Sequence, residues 1–258
     1  MTLRLGFDEG SAVYQSRGHY ARIWSEGWVA RELYCLNCGA SRLSKLANNN
    51  PVGDFSCEDC DEEYEVKSCA GRFGTRVVDG AYASMMARLA ANNNPSLVLL
   101  GYDRHRKAVT NLAVVPKHFF IANIIQKRPP LAPTARRAGW TGCNILLGEI
   151  PEAGKIVVVR NGQTVPKRLV LQQWKQTCFL RTERLVARGW LLEIMRCVEE
   201  IDRAEFEIAD VYRFEEYLRS VYPGNTHIRQ KIRQKLQVLR DAGYLEFLGR
   251  GRYRIQPK

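Results

Sequence analysis

Two Cys-x-x-Cys pairs, Cys35/Cys38 and Cys57/Cys60, constrain this chain more than any other feature. The 18 residues between them fall inside the spacing of a four-thiolate zinc site. Zinc prefers four soft ligands in a tetrahedron, and each Cys-x-x-Cys turn supplies two sulfurs from one knuckle. Gly39, directly after Cys38, suits such a turn because it tolerates positive φ. A structural Zn²⁺ held by Cys35, Cys38, Cys57 and Cys60 is therefore expected. Eight cysteines in 258 residues are too dilute for a disulfide-stapled scaffold. Cys69, Cys143, Cys178 and Cys197 stand alone and read as small hydrophobes without a role. No apolar leader opens the chain, and no run approaches the roughly 18 apolar residues of a membrane span. A soluble, cytoplasmic protein with reduced thiols is expected.

A second kind of metal site overlaps the first. After Cys60 the chain reads Asp-Glu-Glu-Tyr64-Glu65-Val66-Lys67, and in a strand of period two Glu65 and Lys67 share the face opposite Tyr64 and Val66. A hairpin closed at Cys57 and Cys60 brings Asp54 alongside. Magnesium takes hard oxygen ligands and keeps several waters, so Asp54, Glu65 and the Val66 carbonyl would suffice to hold it against a substrate phosphate. Lys67 would then orient or deprotonate the attacking water and steady developing charge during in-line opening of a phosphodiester. Glu-x-Lys occurs often by chance, and an exposed ion pair on a strand is the plain alternative. The upstream Pro51-x-x-Asp54 favours the catalytic reading.

The net charge of +12 and pI near 9.5 point to a polyanionic partner. From Arg104 to Gly148 there is no acidic residue, and the centre of that stretch runs Lys127-Arg128-Pro-Pro-Leu-Ala-Pro-Thr-Ala-Arg136-Arg137-Ala-Gly139-Trp140. Its prolines and Gly139 predict an irregular loop. Arg136 and Arg137 would grip phosphates while Trp140 places a ring in a groove; a solubilising loop with its tryptophan folded onto the core is the alternative.

Two domains are expected, residues 1–182 and 183–258. The first reads as α/β: a helix around His19 to Leu33, the metal hairpin, a helix from Asp79 to Asn92, and strands near Leu97 to Tyr102, Val109 to Val115 and Lys155 to Arg160. Tyr82, Met85, Met86 and Leu89 form an apolar stripe on the second helix. The second domain opens with Trp190, Ile194, Cys197, Val198 and Ile201 on one helical face. A helix over 208–222 follows, with Val211, Phe214, Leu218 and Val221 inward, and then a helix capped by Thr226. In that last helix Ile228, Ile232, Leu236 and Leu239 face the core, leaving Arg229, Gln230, Arg233, Gln234 and Gln237 outward. A terminal hairpin carries Arg250 and Arg252 at a basic tip. Three helices and a basic hairpin make a winged helix, whose Gln and Arg side chains suit readout of base edges in the major groove. A winged helix used for protein contacts is the alternative, and His227 at the helix start is either a phosphate contact or a surface residue.

Six segments carry a resemblance: Asn-Asn-x-Pro-Val-x-Asp54-Phe-x-Cys57, Glu-x-Glu65-x-Lys67-Ser, Asp79-Gly-Ala-Tyr-Ala, Pro-Leu-Ala-Pro-Thr-Ala-Arg136-Arg137-Ala-Gly-Trp140, Gln-Val-Leu-Arg240-Asp and Gly249-Arg-Gly251. Together they resemble the DpnI family of methyl-directed restriction endonucleases, in the same order over nearly the whole chain. The resemblance implies an α/β PD-(D/E)xK (restriction-endonuclease-like) catalytic domain with a four-cysteine zinc site, followed by a winged-helix domain. It implies Mg²⁺-dependent cleavage of double-stranded DNA at GATC with N6-methylated adenines, read by both domains. Asp54, Glu65 and Lys67 become the catalytic triad, and Trp140 a candidate reader of the methylated step. The chain departs from the pattern in having two residues between Pro51 and Asp54 and Cys69 after Ser68.

Burying one N6-methyl group is worth roughly 0.8 kcal/mol, about fourfold, and two methyls about fifteenfold. Reading by both domains multiplies the ratio. A monomer in solution is expected, with no membrane partner. The competing readings are a zinc-containing winged-helix regulator without nuclease activity, which has no need of Glu65-Val66-Lys67, and a nuclease of this fold with another specificity.

Overall fold

A computed structural model describes residues 1–5, 17–47 and 53–256, the side chains of 17–20 excepted; Pro51, part of the expected motif, lies outside the described residues. The chain forms two compact units, Met1–Gly148 with Gly154–Lys175 and Glu149–Ala153 with Gln176–Lys258. Among the described residues no helix is long and apolar enough to cross a membrane.

The first unit is mixed α/β. Helix α1 (Arg17–Glu32) precedes two short strands, β1 (Ser44–Lys45) and β2 (Phe55–Ser56), and the long strand β3 (Glu63–Ala70). Next come β4 (Arg76–Ala81), α2 (Tyr82–Ala90), β5 (Ser96–Asp103), β6 (Ala108–Val115), β7 (Ile125–Lys127), β8 (Gly142–Leu146), β9 (Ile156–Arg160), β10 (Gln163–Thr164) and α3 (Lys167–Thr177). The larger sheet has the order β1-β2-β3-β5-β6-β9-β10, and β4, β8 and β7 form a second sheet. Among the described residues only β3 and β5 of the larger sheet pair in parallel, and the crossover between them contains β4 and α2. Strand β5 reads Ser-Leu-Val-Leu-Leu-Gly-Tyr-Asp and is buried from Ser96 to Tyr102, the continuous apolar run expected of a strand covered on both faces. Trp28 and Val29 of α1 are fully buried, and Met85 and Leu89 of α2 are buried while Tyr82 and Met86 are half-buried.

One expectation fails here. The helix read from Asp79 begins only at Tyr82; Arg76–Ala81 is a strand that pairs antiparallel with β8, and Asp79 lies in it opposite Cys143. Ladder pairing with a strand over 60 residues downstream and burial of Val77 outweigh the helical pattern.

The second unit contains α4 (Leu185–Glu200), β11 (Glu205–Glu207), α5 (Ile208–Tyr212), α6 (Glu215–Val221), α7 (Ile228–Asp241), β12 (Leu245–Gly249) and β13 (Arg252–Ile255). Ile194, Cys197, Val198, Val211, Leu218, Ile228, Ile232, Leu236 and Leu239 are buried, and the Trp190 ring stacks on Tyr222 at 3.9 Å. The helix expected over 208–222 is broken into α5 and α6 at Arg213 and Phe214, where Phe214 has ψ 10° and the acidic pair Glu215-Glu216 opens a new first turn. Thr226 does not cap α7. His227 occupies that position, and its N–H donates to Asn225 Oδ1. β11 adds an unexpected third strand beside β13, giving the sheet order β11-β13-β12. At the β12–β13 turn Gly249, Arg250 and Gly251 all have positive φ, the conformation that lets a two-residue hairpin follow the strand twist.

Candidate active site and zinc centre

The two cysteine knuckles are built alike. Gly39 N–H donates to Cys35 O and Cys35 N–H to Ala40 O; Asp61 N–H donates to Cys57 O and Cys57 N–H to Glu62 O. The residue after the second cysteine is left-handed in both, Gly39 at φ 83° and Asp61 at φ 54°. The Cys35–Cys60 sulfurs lie 3.6 Å apart and the Cys38–Cys57 sulfurs 3.5 Å, with all four within 4.8 Å of one another. A tetrahedral site with Zn–S bonds near 2.3 Å requires edges of about 3.8 Å, so this cluster is compatible with zinc. Around it, Tyr64 is fully buried with its hydroxyl accepting the Leu36 N–H at 3.0 Å and lying 3.3 Å from Cys35 Sγ. From α3, Trp174 Nε1 donates to Asn37 Oδ1 and Lys167 Nζ donates to Gly39 O. Of the remaining cysteines, Cys143 and Cys197 are buried and Cys69 and Cys178 half-buried.

The second knuckle is also the turn of the β2–β3 hairpin. Because Phe55 pairs with Tyr64 and Ser56 with Glu63, Asp54 is drawn to the β3 edge, where its N–H donates to Tyr64 O and its Oδ2 accepts the Val66 N–H at 2.8 Å. One residue to either side of Val66, Lys67 Nζ lies 2.7 Å from Glu65 Oε1. Asp54, Glu65, Val66 and Lys67 line one cleft of about 640 Å³, together with Arg22, Glu26 and Arg76. Burial holds the Glu65 carboxyl above its ordinary pKa, Asp79 and Asp54 adding to the effect against the opposing Lys67. Burial works against the Lys67 ammonium, yet the charges of Glu65 and Asp79 outweigh it and raise its pKa.

Three residues at this site escaped the sequence reading. Asp79, reached from the second sheet, places Oδ1 2.7 Å from Lys67 Nζ and has a side chain only 6% exposed. Burial would raise its pKa, but Lys67 outweighs burial and holds it low. Glu26 of α1 is buried between Arg22 and Lys45, and Arg22 Nη2 continues to Asp54 Oδ1 at 3.5 Å. Asp79 was visible in sequence only as part of Asp-Gly-Ala-Tyr-Ala, and nothing local marks Arg22 or Glu26.

The proline-rich segment links β7 to β8. It is ordered by Arg128 N–H to Gly142 O, Leu131 N–H to Trp140 O and Gly139 N–H to Leu131 O. Arg136 and Arg137 are exposed, and the half-buried Trp140 carries the Arg137 guanidinium 4.8 Å over its ring. On α7, Arg229, Gln230, Arg233, Gln234 and Gln237 are exposed, as are Arg250 and Arg252 on the hairpin. Tyr212, also missed, organises the helix start: its hydroxyl accepts Arg233 Nε, and the guanidinium of Arg229 lies 5.1 Å from its ring. Arg229 Nε also donates to Glu215, whose carboxyl is held below its ordinary pKa by that bond.

Family models match both units. One described as the Dam-replacing family, DpnI, matches residues 2–183, and one described as the Dam-replacing HTH domain, DpnI_C, matches residues 186–255. The chain belongs to the DpnI family, a restriction endonuclease family, with a mixed α/β domain followed by a helix-turn-helix domain that binds DNA.

Proposed function

We propose that this chain is a type II methyl-directed restriction endonuclease that hydrolyses double-stranded DNA at GATC sites carrying N6-methyladenine. In this reading residues 1–182 form a PD-(D/E)xK nuclease domain, residues 183–258 a winged helix, and both contact methylated DNA. The observation that carries it is the convergence of Asp54, Glu65 and Lys67 in one cleft, with Asp54 drawn to Val66 by the hairpin that the second cysteine knuckle closes.

The donor sets suit two different ions. Four clustered sulfurs favour Zn²⁺, whereas the carboxylates of Asp54 and Glu65 and the Val66 carbonyl are hard oxygens of the kind Mg²⁺ takes. Magnesium bound there supplies Lewis-acid polarisation of the scissile phosphate. Lys67, kept charged by two carboxylates, orients the attacking water and stabilises charge that develops on the phosphate. Arg136 and Arg137 engage the backbone, Trp140 offers a ring to the methylated step, and Arg229, Gln230, Arg233, Gln234 and Gln237 read the groove with Arg250 and Arg252 on flanking phosphates. Family membership and the matching segments support the GATC and N6-methyl specificity.

The test is a cleavage assay in Mg²⁺ on matched plasmids, one fully adenine-methylated at GATC and one unmethylated, with Lys67→Ala as control. Cutting of the methylated plasmid alone, abolished by a chelator and slowed by orders of magnitude to a rate measurable only in single-turnover cleavage by Lys67→Ala, is expected. Binding of both plasmids without cutting either would refute the nuclease, and equal cutting would refute the methyl dependence.

A further inference from the structure

We infer that Asp79 is a positioning residue for the catalytic amine, a second anchor that holds Lys67 from a different sheet than Glu65; this rests on the nuclease reading above. Lys67 and Glu65 leave the same face of β3 two residues apart, whereas Asp79 approaches from β4 in the other sheet, and the ammonium lies 2.7 Å from a carboxylate oxygen of each. A four-carbon side chain carries considerable rotamer freedom, and one contact restrains it poorly. When Glu65 turns its oxygens to a divalent cation its hold on Lys67 weakens, because a carboxylate's lone pairs and charge are then shared with the metal. Asp79 is not subject to that competition in this reading, so the amine stays on the reacting side of the cleft.

The local fold makes Asp79 a stiff anchor. β4 pairs with β8 residue by residue from Arg76 to Asp79, and the register shifts between Asp79 and Ala81, immediately before α2 begins at Tyr82. Such irregularities re-aim side chains next to sites. The side chain is 6% exposed, so water competes little for the contact.

The experiment uses the full-length, zinc-loaded protein and methylated GATC duplex. Asp79→Asn, Lys67→Ala and the double variant are compared in single-turnover cleavage with Mg²⁺, and in calcium affinity and DNA affinity with Ca²⁺, which supports binding without turnover. Asp79→Asn is expected to slow cleavage about 100-fold, the effect of misplacing a catalytic group by an ångström. Calcium and DNA affinities should stay within about threefold of wild type, and Asp79→Asn should slow Lys67→Ala no further, because coupled residues are non-additive. Cleavage by Asp79→Asn within about threefold of wild type overturns the inference. So does an equal further slowing of Lys67→Ala, or a calcium affinity at least tenfold weaker, which would make Asp79 a metal ligand. Should Asp79→Asn fail to fold, Asp79→Glu keeps the charge but shifts it by one methylene: cleavage slowed about tenfold with calcium affinity intact is expected, and wild-type cleavage overturns the inference. A wild-type protein that cuts no methylated DNA overturns the nuclease reading and this inference together; wild-type cutting with an unaffected Asp79→Asn overturns the inference alone.

Discussion

The indole of Trp140 lies against Gly142 so closely that a β-carbon there would sit 2.9 Å from Cη2 and 3.0 Å from Cζ3. The ring is thus bounded by Gly142 at its edge and by the Arg137 guanidinium over it. A methyl side chain at 142 must displace the ring. If Trp140 supplies the wall for an N6-methyl group, Gly142→Ala is expected to lower the affinity ratio of methylated to unmethylated duplex by up to about fourfold, the worth of one buried methyl. Fluorescence anisotropy on the two duplexes reads the ratio and tryptophan emission reports the displacement. A shifted emission with an unchanged ratio would remove Trp140 from methyl recognition.

Zinc should be required for the β2–β3 hairpin, since Cys57 and Cys60 form the turn between β2 and β3. Structural zinc binding is worth on the order of 10 kcal/mol, comparable to the whole stability of a domain. Cys57→Ser is therefore expected to lose the metal and the cooperative melting of the first unit. Because thiolates must take up protons to release the ion, zinc should also be released as pH falls. Metal content by emission spectroscopy and zinc-dye titration against pH check both.

Tyr64→Phe removes the hydroxyl beneath the knuckle, which meets both the Leu36 N–H and Cys35 Sγ. Leu36 N–H would lose its acceptor in a fully buried site, at a cost of about 1–3 kcal/mol. Denaturant unfolding should show that loss with an unchanged slope, and cleavage below the transition should persist. Stability equal to wild type would mean that another acceptor reaches Leu36.

Arg233 is held at the exposed face of α7 by the Tyr212 hydroxyl, a geometry suited to reading a base edge. Arg233→Ala should weaken binding to the methylated GATC duplex by about 1–3 kcal/mol while leaving binding to unrelated DNA unchanged. A uniform loss with a salt-dependence slope lower by about 0.9 would assign Arg233 to a phosphate instead.

Features that depend on neighbours along the chain were legible in the residues alone. The cysteine spacing predicted a cluster whose four sulfurs do converge, Gly39 has the positive φ its turn asks for, and period-two alternation placed Glu65 beside Lys67. The 3.6-residue period separated Ile228, Ile232, Leu236 and Leu239 from the exposed Arg and Gln face of α7. Each of these follows from backbone geometry over a few residues, which the side-chain order encodes directly.

Only the tertiary structure decided which distant groups meet those elements. Asp79 looked like a helix start until β8 drew Arg76–Ala81 into a strand and aimed its carboxylate at Lys67. Arg22 and Glu26 reach the Asp54 cleft from a helix whose sequence marks neither, and Tyr212 at the end of α5 meets Arg233 of α7. Such contacts arise from strand pairing and packing between segments far apart in the chain, where long-range ladder bonds and burial override local propensity. The sequence by itself determined the cysteine cluster and the exposed Arg and Gln face of α7; the surroundings that orient Asp54, Glu65 and Lys67 come from non-local packing.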